Sequence, residues 1–206
     1  MPHSRWPHSQ TFTTRRRRLP TCLLSGLGLP DRDYYLKPEP RFAEAREKYR
    51  VHVAKMFQLA GYEENAAKAA AETVFHVEQK LAENSLDNVA LRDPANTDHK
   101  MSYAALTKLA PAMDWDSYFA SAKLSRADLN VSQPNFLKEV DRQLRETPLA
   151  EWKTYLTWQL LNAKADALSE PFVNENFEFQ GKYLSGATEM NPRWKRCAES
   201  TDKGSR

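Results

Sequence analysis

The residues best suited to metal or acid–base chemistry are five histidines spread along the chain. They are His3, His8, His52, His76 and His99. Two imidazoles bind one metal ion from the same helical face when they lie one turn apart, as in H-E-x-x-H, where the intervening glutamate serves as a general base. No two histidines here have that spacing. His52 and His76 fall in glutamate-rich helical segments, which favours surface or half-buried structural histidines.

Glu83 and Asp87 form a second pattern with metal-binding potential, because they match E-x-x-x-D. This pattern adds a carboxylate ligand only beside a histidine pair, and many helical sequences contain it by chance. The sequence also has no G-x-S-x-G, P-loop or G-x-G-x-x-G, since Gly26 and Gly28 lack a third glycine. We therefore assign no catalytic, cofactor-binding or metal-ligating residue and expect no cofactor in this chain.

Cys22 and Cys197 are the only cysteines in the sequence. Two cysteines are too few for a disulfide framework, and they lack the paired spacing of a zinc ribbon. No stretch approaches the ~18 consecutive apolar residues of a transmembrane helix, so the sequence predicts no membrane span.

Positive charge is concentrated near the N-terminus. Residues 1–30 contain five arginines and no acid, whereas the rest of the chain carries 25 Lys and Arg against 27 Asp and Glu. Because these charges are interspersed along predicted helices, we predict no nucleic-acid partner for the body of the chain. Residues 1–24 lack an apolar period and are interpreted as a disordered basic tail. An alternative makes Arg15–Arg18 a tether to nucleic acid or an acidic membrane.

Apolar periodicity predicts a mainly α-helical fold. The chain is 41% hydrophobic, with six glycines and no sustained alternation of polar and apolar residues. Pro40 opens a helix that Gly61 can end, because proline suits the first helical position and glycine the position after the last. A second helix from about Glu63 to Glu83 should pack against it as an antiparallel hairpin.

The apolar pattern in the remainder of the chain predicts further helices and no sizeable sheet. The expected fold class is therefore all-α. The helices are a short one capped by Ser102 and ended by Pro111, then Asp114–Ala122, Pro134–Glu146, and one that starts at Thr147-Pro148 and continues to about Ala163. Leu129–Val131 is predicted to be briefly extended, and the segment from Asp93 to Lys100 to be a loop. No element is assigned to the aromatic segment from Phe172 to Tyr183.

Three short motifs occur in a fixed order along the chain. Residues 26–35 read GLGLPDRDYY, residues 168–172 read LSEPF ahead of Phe177 and Phe179, and residues 192–197 read PRWKRC. In order and separation these motifs resemble the N-terminal region of the neprilysin and endothelin-converting-enzyme family of zinc metallopeptidases. The resemblance covers residues 26 to 203, and three motifs in sequence make it far more specific than any one alone. Residues 1–24 match nothing expected of the family.

The resemblance implies a helical, lid-type domain that covers a thermolysin-like catalytic domain. It further implies zinc as the cofactor of the full-length enzyme, peptide substrates, and attack by a zinc-bound water that a glutamate polarises. A secreted, periplasmic or membrane-anchored extracytoplasmic location is also implied. The sequence ends soon after Cys197 without the family's zinc motif. We therefore expect residues 25–206 to be the N-terminal region of such a peptidase, truncated before the catalytic domain and inactive alone.

A rival hypothesis is an independent, non-catalytic α-helical interaction module. The motif residues are interpreted as scaffold rather than as substrate contacts: Arg32 should pair with a neighbouring carboxylate, while Tyr34 and Tyr35 should pack with their hydroxyls hydrogen-bonded. Trp194 is expected to pack under the adjoining helices.

Overall fold

A computed structural model describes residues 21–22, 26–126 and 128–204. The predicted tail over residues 1–24 therefore lies almost wholly outside the described residues. Among those described, no helix is both long enough and apolar enough to cross a membrane.

The described chain is dominated by helices, which confirms the all-α prediction. The α-helices are α1 (Asp33–Leu36), α2 (Pro40–Leu59), α3 (Glu64–Glu83), α4 (Pro94–Thr97), α5 (Tyr103–Leu109), α6 (Trp115–Ser121), α7 (Pro134–Glu146), α8 (Leu149–Lys164), α9 (Glu170–Asn176) and α10 (Arg193–Gly204). Short 3₁₀ helices span Ala90–Arg92 and Ala165–Ala167, and a π-helix spans Phe177–Leu184.

A small sheet of three strands is formed by β1 (Thr21–Cys22), β2 (Lys100–Met101) and β3 (Leu129–Val131). The strand order is β1-β3-β2, with β1 parallel and β2 antiparallel to β3. The segment predicted to be extended, β3, is thus the central strand.

The predicted hairpin of α2 and α3 forms the centre of the fold. Pro40 occupies the first turn of α2, where its missing N–H removes no helical hydrogen bond. After α2, Gly61 adopts a φ of +95° and Tyr62 N–H donates to the Phe57 carbonyl over 3.1 Å. This is the Schellman arrangement, which requires a left-handed residue and so favours glycine.

Three groups of buried side chains stabilise the fold. The largest lies between α2, α3 and α8 and includes Tyr49, Phe57 and Trp158. The second surrounds β3, where Leu106 and Leu137 lie almost completely buried. The smallest lies between α3, α7 and α8. Burying side chains of this size contributes ~1.5–3 kcal/mol each to folding.

The helical content exceeds the prediction in several places. The predicted loop after Asp93 contains α4, whose first turn is capped by the Asp93 carboxylate accepting from Ala95 N–H at 2.9 Å, so the loop prediction is wrong there. The aromatic segment forms α9 and the π-helix, and the third motif begins α10. The π-helix has wider turns than the 3.6-residue period, which explains why apolar spacing did not indicate it.

Candidate functional site

The residues with metal-binding potential in the sequence do not come together in the structure. Among residues 21–22, 26–126 and 128–204, no group of three His, Cys, Asp or Glu side chains is placed to hold a metal ion. Asp87 instead caps a 3₁₀ helix, because its Oδ1 accepts from Ala90 N–H at 2.7 Å and Val89 N–H at 2.9 Å. These bonds, the one from Ala90 first, hold the pKa of Asp87 below its ordinary value.

Glu78 is the carboxyl group that the fold places in the most unusual surroundings. It lies in α3, fully buried. Its Oε2 accepts hydrogen bonds from the hydroxyls of Tyr35 at 2.8 Å and Tyr49 at 2.7 Å. Gln159 Nε2 lies 3.4 Å from the other carboxyl oxygen. We call these four residues the Glu78 network.

Burial controls the protonation of the Glu78 network. It raises the pKa of Glu78 to about 7, because an ionised carboxylate loses its hydration, while the two tyrosine hydroxyls act in the opposite direction by favouring the charged form. Burial, and then the Glu78 charge, raises the pKa of Tyr35 and Tyr49 well above the usual value. The hydroxyls therefore remain protonated donors at neutral pH.

The Glu78 network also fixes the start of the first motif. The hydroxyl oxygen of Tyr35, which donates to Glu78, accepts from the backbone N–H groups of Gly28 at 3.1 Å and Leu29 at 3.0 Å. The predicted partner for the Tyr35 hydroxyl is thereby confirmed. Since the carboxyl group has no access to solvent, the arrangement can hold a proton and position backbone but cannot contact a substrate.

Two glycines allow the first motif to approach this network. The Gly26 carbonyl accepts from the Tyr155 hydroxyl of α8 at 2.8 Å. A Cβ on Gly28 would lie only 2.0 Å from the Tyr49 hydroxyl oxygen. Gly26 and Gly28 therefore allow close packing of the backbone and do not form a phosphate-binding loop.

His52 is a buried structural residue, so the predicted surface or half-buried position is wrong. Its Nδ1 lies 2.9 Å from Glu175 Oε1, and Lys55 Nζ lies 2.6 Å from Glu175 Oε2. The imidazole stacks on Phe179 with 4.6 Å between ring centres. Burial acts to raise the pKa of Glu175, but the bonds from His52 and Lys55 outweigh it and leave the pKa lowered. These contacts join α2 to α9 and the π-helix.

Two other expectations for the motifs are wrong. Arg32 forms no ion pair with any residue of the described chain. Trp194, expected under the adjoining helices, is 73% exposed at the start of α10.

A row of apolar side chains faces solvent on α8. Leu149, Leu156 and Leu160 are 70%, 58% and 62% exposed, and their spacing of seven and four residues places them on one helical face. The opposite face of α8 buries Tyr155 and Trp158. We call the three exposed residues the leucine stripe.

Comparison with known proteins decides the family. The family model for peptidase family M13 matches residues 10–205. The chain belongs to peptidase family M13. The M13 match includes all three motifs, which confirms the resemblance found in the sequence. It also extends upstream to residue 10, into the segment that the resemblance left outside the family.

Known M13 proteins similar to this chain include enzymes from animals and bacteria. Endothelin-converting enzyme 1 of Cavia porcellus is 28% identical over 186 residues, covering 86% of this chain and 24% of that protein. Neprilysin-3 of Drosophila melanogaster is 29% identical over 189 residues, with the same shares. The inhibitor complex of the Mycobacterium tuberculosis zinc metalloprotease ZMP1 superposes with a TM-score of 0.80 at 31% identity, covering 85% of this chain and 27% of that one. This chain therefore spans about a quarter of the length of these M13 zinc metallopeptidases.

Proposed function

We propose that this chain is the N-terminal helical region of a zinc metalloendopeptidase, which cleaves peptides only together with a catalytic domain outside these 206 residues. The observation that carries the proposal is the M13 match over residues 10–205, combined with a superposition that covers only 27% of a solved zinc metalloprotease. On this proposal zinc is a cofactor of the complete enzyme, and the chain alone is inactive.

The leucine stripe supports a catalytic domain as the missing partner. Leu149, Leu156 and Leu160 expose large apolar surfaces on one face of α8, and Trp194 adds a further exposed aromatic ring. Exposed apolar side chains aligned on one helical face mark a site where proteins contact one another. Covering it with a second domain of the same peptidase would recover burial free energy of ~1.5–3 kcal/mol for each large side chain.

A chimera tests this proposal. The chain would be joined to the remaining sequence of an M13 relative, and peptide hydrolysis, zinc content and binding of a hydrophobic dye would be measured beside the chain alone. We expect activity and bound zinc only in the chimera, with lower dye binding than in the free chain. Activity or one tightly bound zinc in the purified chain alone would refute the proposal.

Paired variants connect the test to the leucine stripe. Replacing Leu156 and Leu160 by Glu should lower the activity of the chimera, because buried carboxylates oppose docking. Val89→Glu is the matched control, since Val89 is 78% exposed and lies outside the stripe. An independent interaction module becomes the better account on two conditions. The stripe variant and the control have the same activity in the chimera, and the free chain is monomeric, binds no hydrophobic dye and unfolds cooperatively.

A further inference from the structure

A polar cleft of about 560 Å³ lies where the ends of α3 and α4 meet the starts of α1 and α7. It is separate from the Glu78 network and from the leucine stripe. The side chains that matter for its chemistry are Arg32, Glu83, Asn96, His99 and Gln133. This volume falls within the range of small-ligand sites. We call it the Arg32 cleft.

The guanidinium group of Arg32 has a donor without a hydrogen-bond partner. Its Nε is buried without a hydrogen-bond partner among the described residues. Its sequence neighbours are engaged elsewhere: Asp31 accepts from the Asn88 side chain at 2.8 Å. Asp33 forms an ion pair with Lys37 at 2.7 Å. The acids that flank Arg32 in sequence therefore leave its donors available.

Two other carboxylates lie close to Arg32 without neutralising it. Asp87 is near enough for Arg32 to contribute to its lowered pKa, but its Oδ1 is held by the N–H groups of the 3₁₀ helix. Glu83 lines the cleft, is exposed, and forms no ion pair within the described chain. Among the described residues, Glu83 is the acid that lines the cleft, and it is therefore placed to compete with a ligand for Arg32.

Two other polar side chains, from two different loops, line the same cleft. His99 Nδ1 is buried without a partner among the described residues, while the backbone of His99 is fixed by Asn130 Oδ1 at 2.7 Å. Gln133 accepts from Leu86 N–H through its Oε1 at 2.7 Å. Its amide NH₂ consequently remains as a donor.

We propose that the Arg32 cleft binds a small oxyanion of the carboxylate or phosphate class. Arg32 is the principal hydrogen-bond donor to this anion, and His99 and Gln133 are further donors. A guanidinium presents parallel N–H groups that match two oxygens of such an anion. The ligand would satisfy buried donors that otherwise lose hydrogen bonds. This assignment is independent of zinc chemistry and of the proposed peptidase role.

Titration of the complete 206-residue chain tests the site. The probes are acetate, inorganic phosphate, and an N-acetylated dipeptide with either a free or an amidated C-terminus, followed through the His99 ring signals by NMR. We expect a saturable shift with at least one anion and none with the amidated peptide. The acetate and phosphate arms show which oxyanion is preferred, and the free dipeptide shows whether a peptide C-terminus is accepted.

Variants separate a built site from unspecific attraction. Arg32→Gln should weaken binding about tenfold or more, because one charge-assisted bond contributes on that scale. Arg32→Lys keeps the charge and should bind with intermediate affinity, provided that circular dichroism shows an unchanged helical spectrum. Arg92→Gln is the control, since Arg92 is exposed and lies outside the cleft.

The substitution Glu83→Gln should change the anion affinity in the opposite direction from Arg32→Gln. Removing this carboxylate should tighten binding, since it competes for Arg32. The proposal is overturned if the wild-type chain shows no saturable shift, if Arg32→Gln and Arg92→Gln weaken binding equally, or if Glu83→Gln weakens it.

Discussion

The hydroxyl oxygen of Tyr49 lies 2.7 Å from Oε2 of Glu78, and neither side chain is exposed to solvent. The pKa of Glu78 is about 7 in this position, compared with an ordinary value of 4.5. Between these two pH values the folded chain holds a proton that the unfolded chain has released. Folding is therefore linked to proton binding at one identified carboxyl group.

The first prediction is that stability falls as pH rises from about 5 to 8. The raised pKa of Glu78 contributes stability that is fully present below about pH 4.5 and is lost as pH passes the folded value of about 7. The loss amounts to about 3 kcal/mol, at 1.36 kcal/mol per pKa unit. Urea unfolding at several pH values measures it. Glu78→Gln, a neutral isostere, should flatten this slope, and an unaltered slope would assign the effect to another group.

The second prediction concerns the Tyr49 hydroxyl. Tyr49→Phe should destabilise the chain by about 1–3 kcal/mol, because Glu78 loses a buried donor. The loss should be larger at pH 8 than at pH 5, since the hydroxyl favours the carboxylate. Tyr62→Phe is the control: Tyr62 is 43% exposed and should show almost no change at either pH. Equal losses for Tyr49→Phe at both pH values would contradict the link to Glu78 ionisation.

The third prediction concerns the close approach at Gly28. Gly28→Ala should cost about 3 kcal/mol or more, because the added Cβ would lie 2.0 Å from the Tyr49 hydroxyl oxygen and 2.7 Å from its ring. Gly61→Ala is the comparison, since its Cβ would have no heavy atom within 4 Å and only its φ of +95° opposes the change. That cost should be about 1 kcal/mol. Thermal unfolding measures the stability loss of both variants. A larger loss for Gly61→Ala than for Gly28→Ala would refute the packing argument.

The fourth prediction compares two leucines that differ in burial. Leu106 is 0% exposed and Leu160 is 62% exposed. Leu106→Ala should lose about 2–5 kcal/mol through cavity formation, whereas Leu160→Ala should change stability by less than about 0.5 kcal/mol and reduce binding of a hydrophobic dye. Chemical unfolding and dye fluorescence measure both effects. A large stability loss at Leu160 would mean that the leucine stripe already has a partner within the chain.

The helices of this chain were largely predictable because their ends carry local signals. Pro40, Gly61 and Ser102 each act through the backbone of their own helix, so their effect is visible in a short stretch of sequence. The Glu78 network was not predicted, since Tyr35 and Tyr49 reach Glu78 from 43 and 29 residues away. A signal did exist, because Glu78 interrupts the apolar face of α3.

The remaining errors arose where long-range contacts decide burial. His52 is buried beside Glu175, which lies 123 residues later in the sequence. The helix that contains His52 gives no indication of that partner. Arg32 was assigned a carboxylate partner because acids flank it, but those acids have other partners. Trp194 was expected under the adjoining helices, whereas it lies on the exposed surface of its own helix.

The bond between the Tyr155 hydroxyl and the Gly26 carbonyl also affects how the protein is made. The two residues are 129 positions apart, so the first motif cannot complete its contacts until α8 has been synthesised. At ~5–20 residues per second, this interval is on the order of ten seconds. During that time Glu78 lacks its contact with Gln159 of α8, and the nascent hairpin of α2 and α3 exposes the apolar surface that α8 later covers.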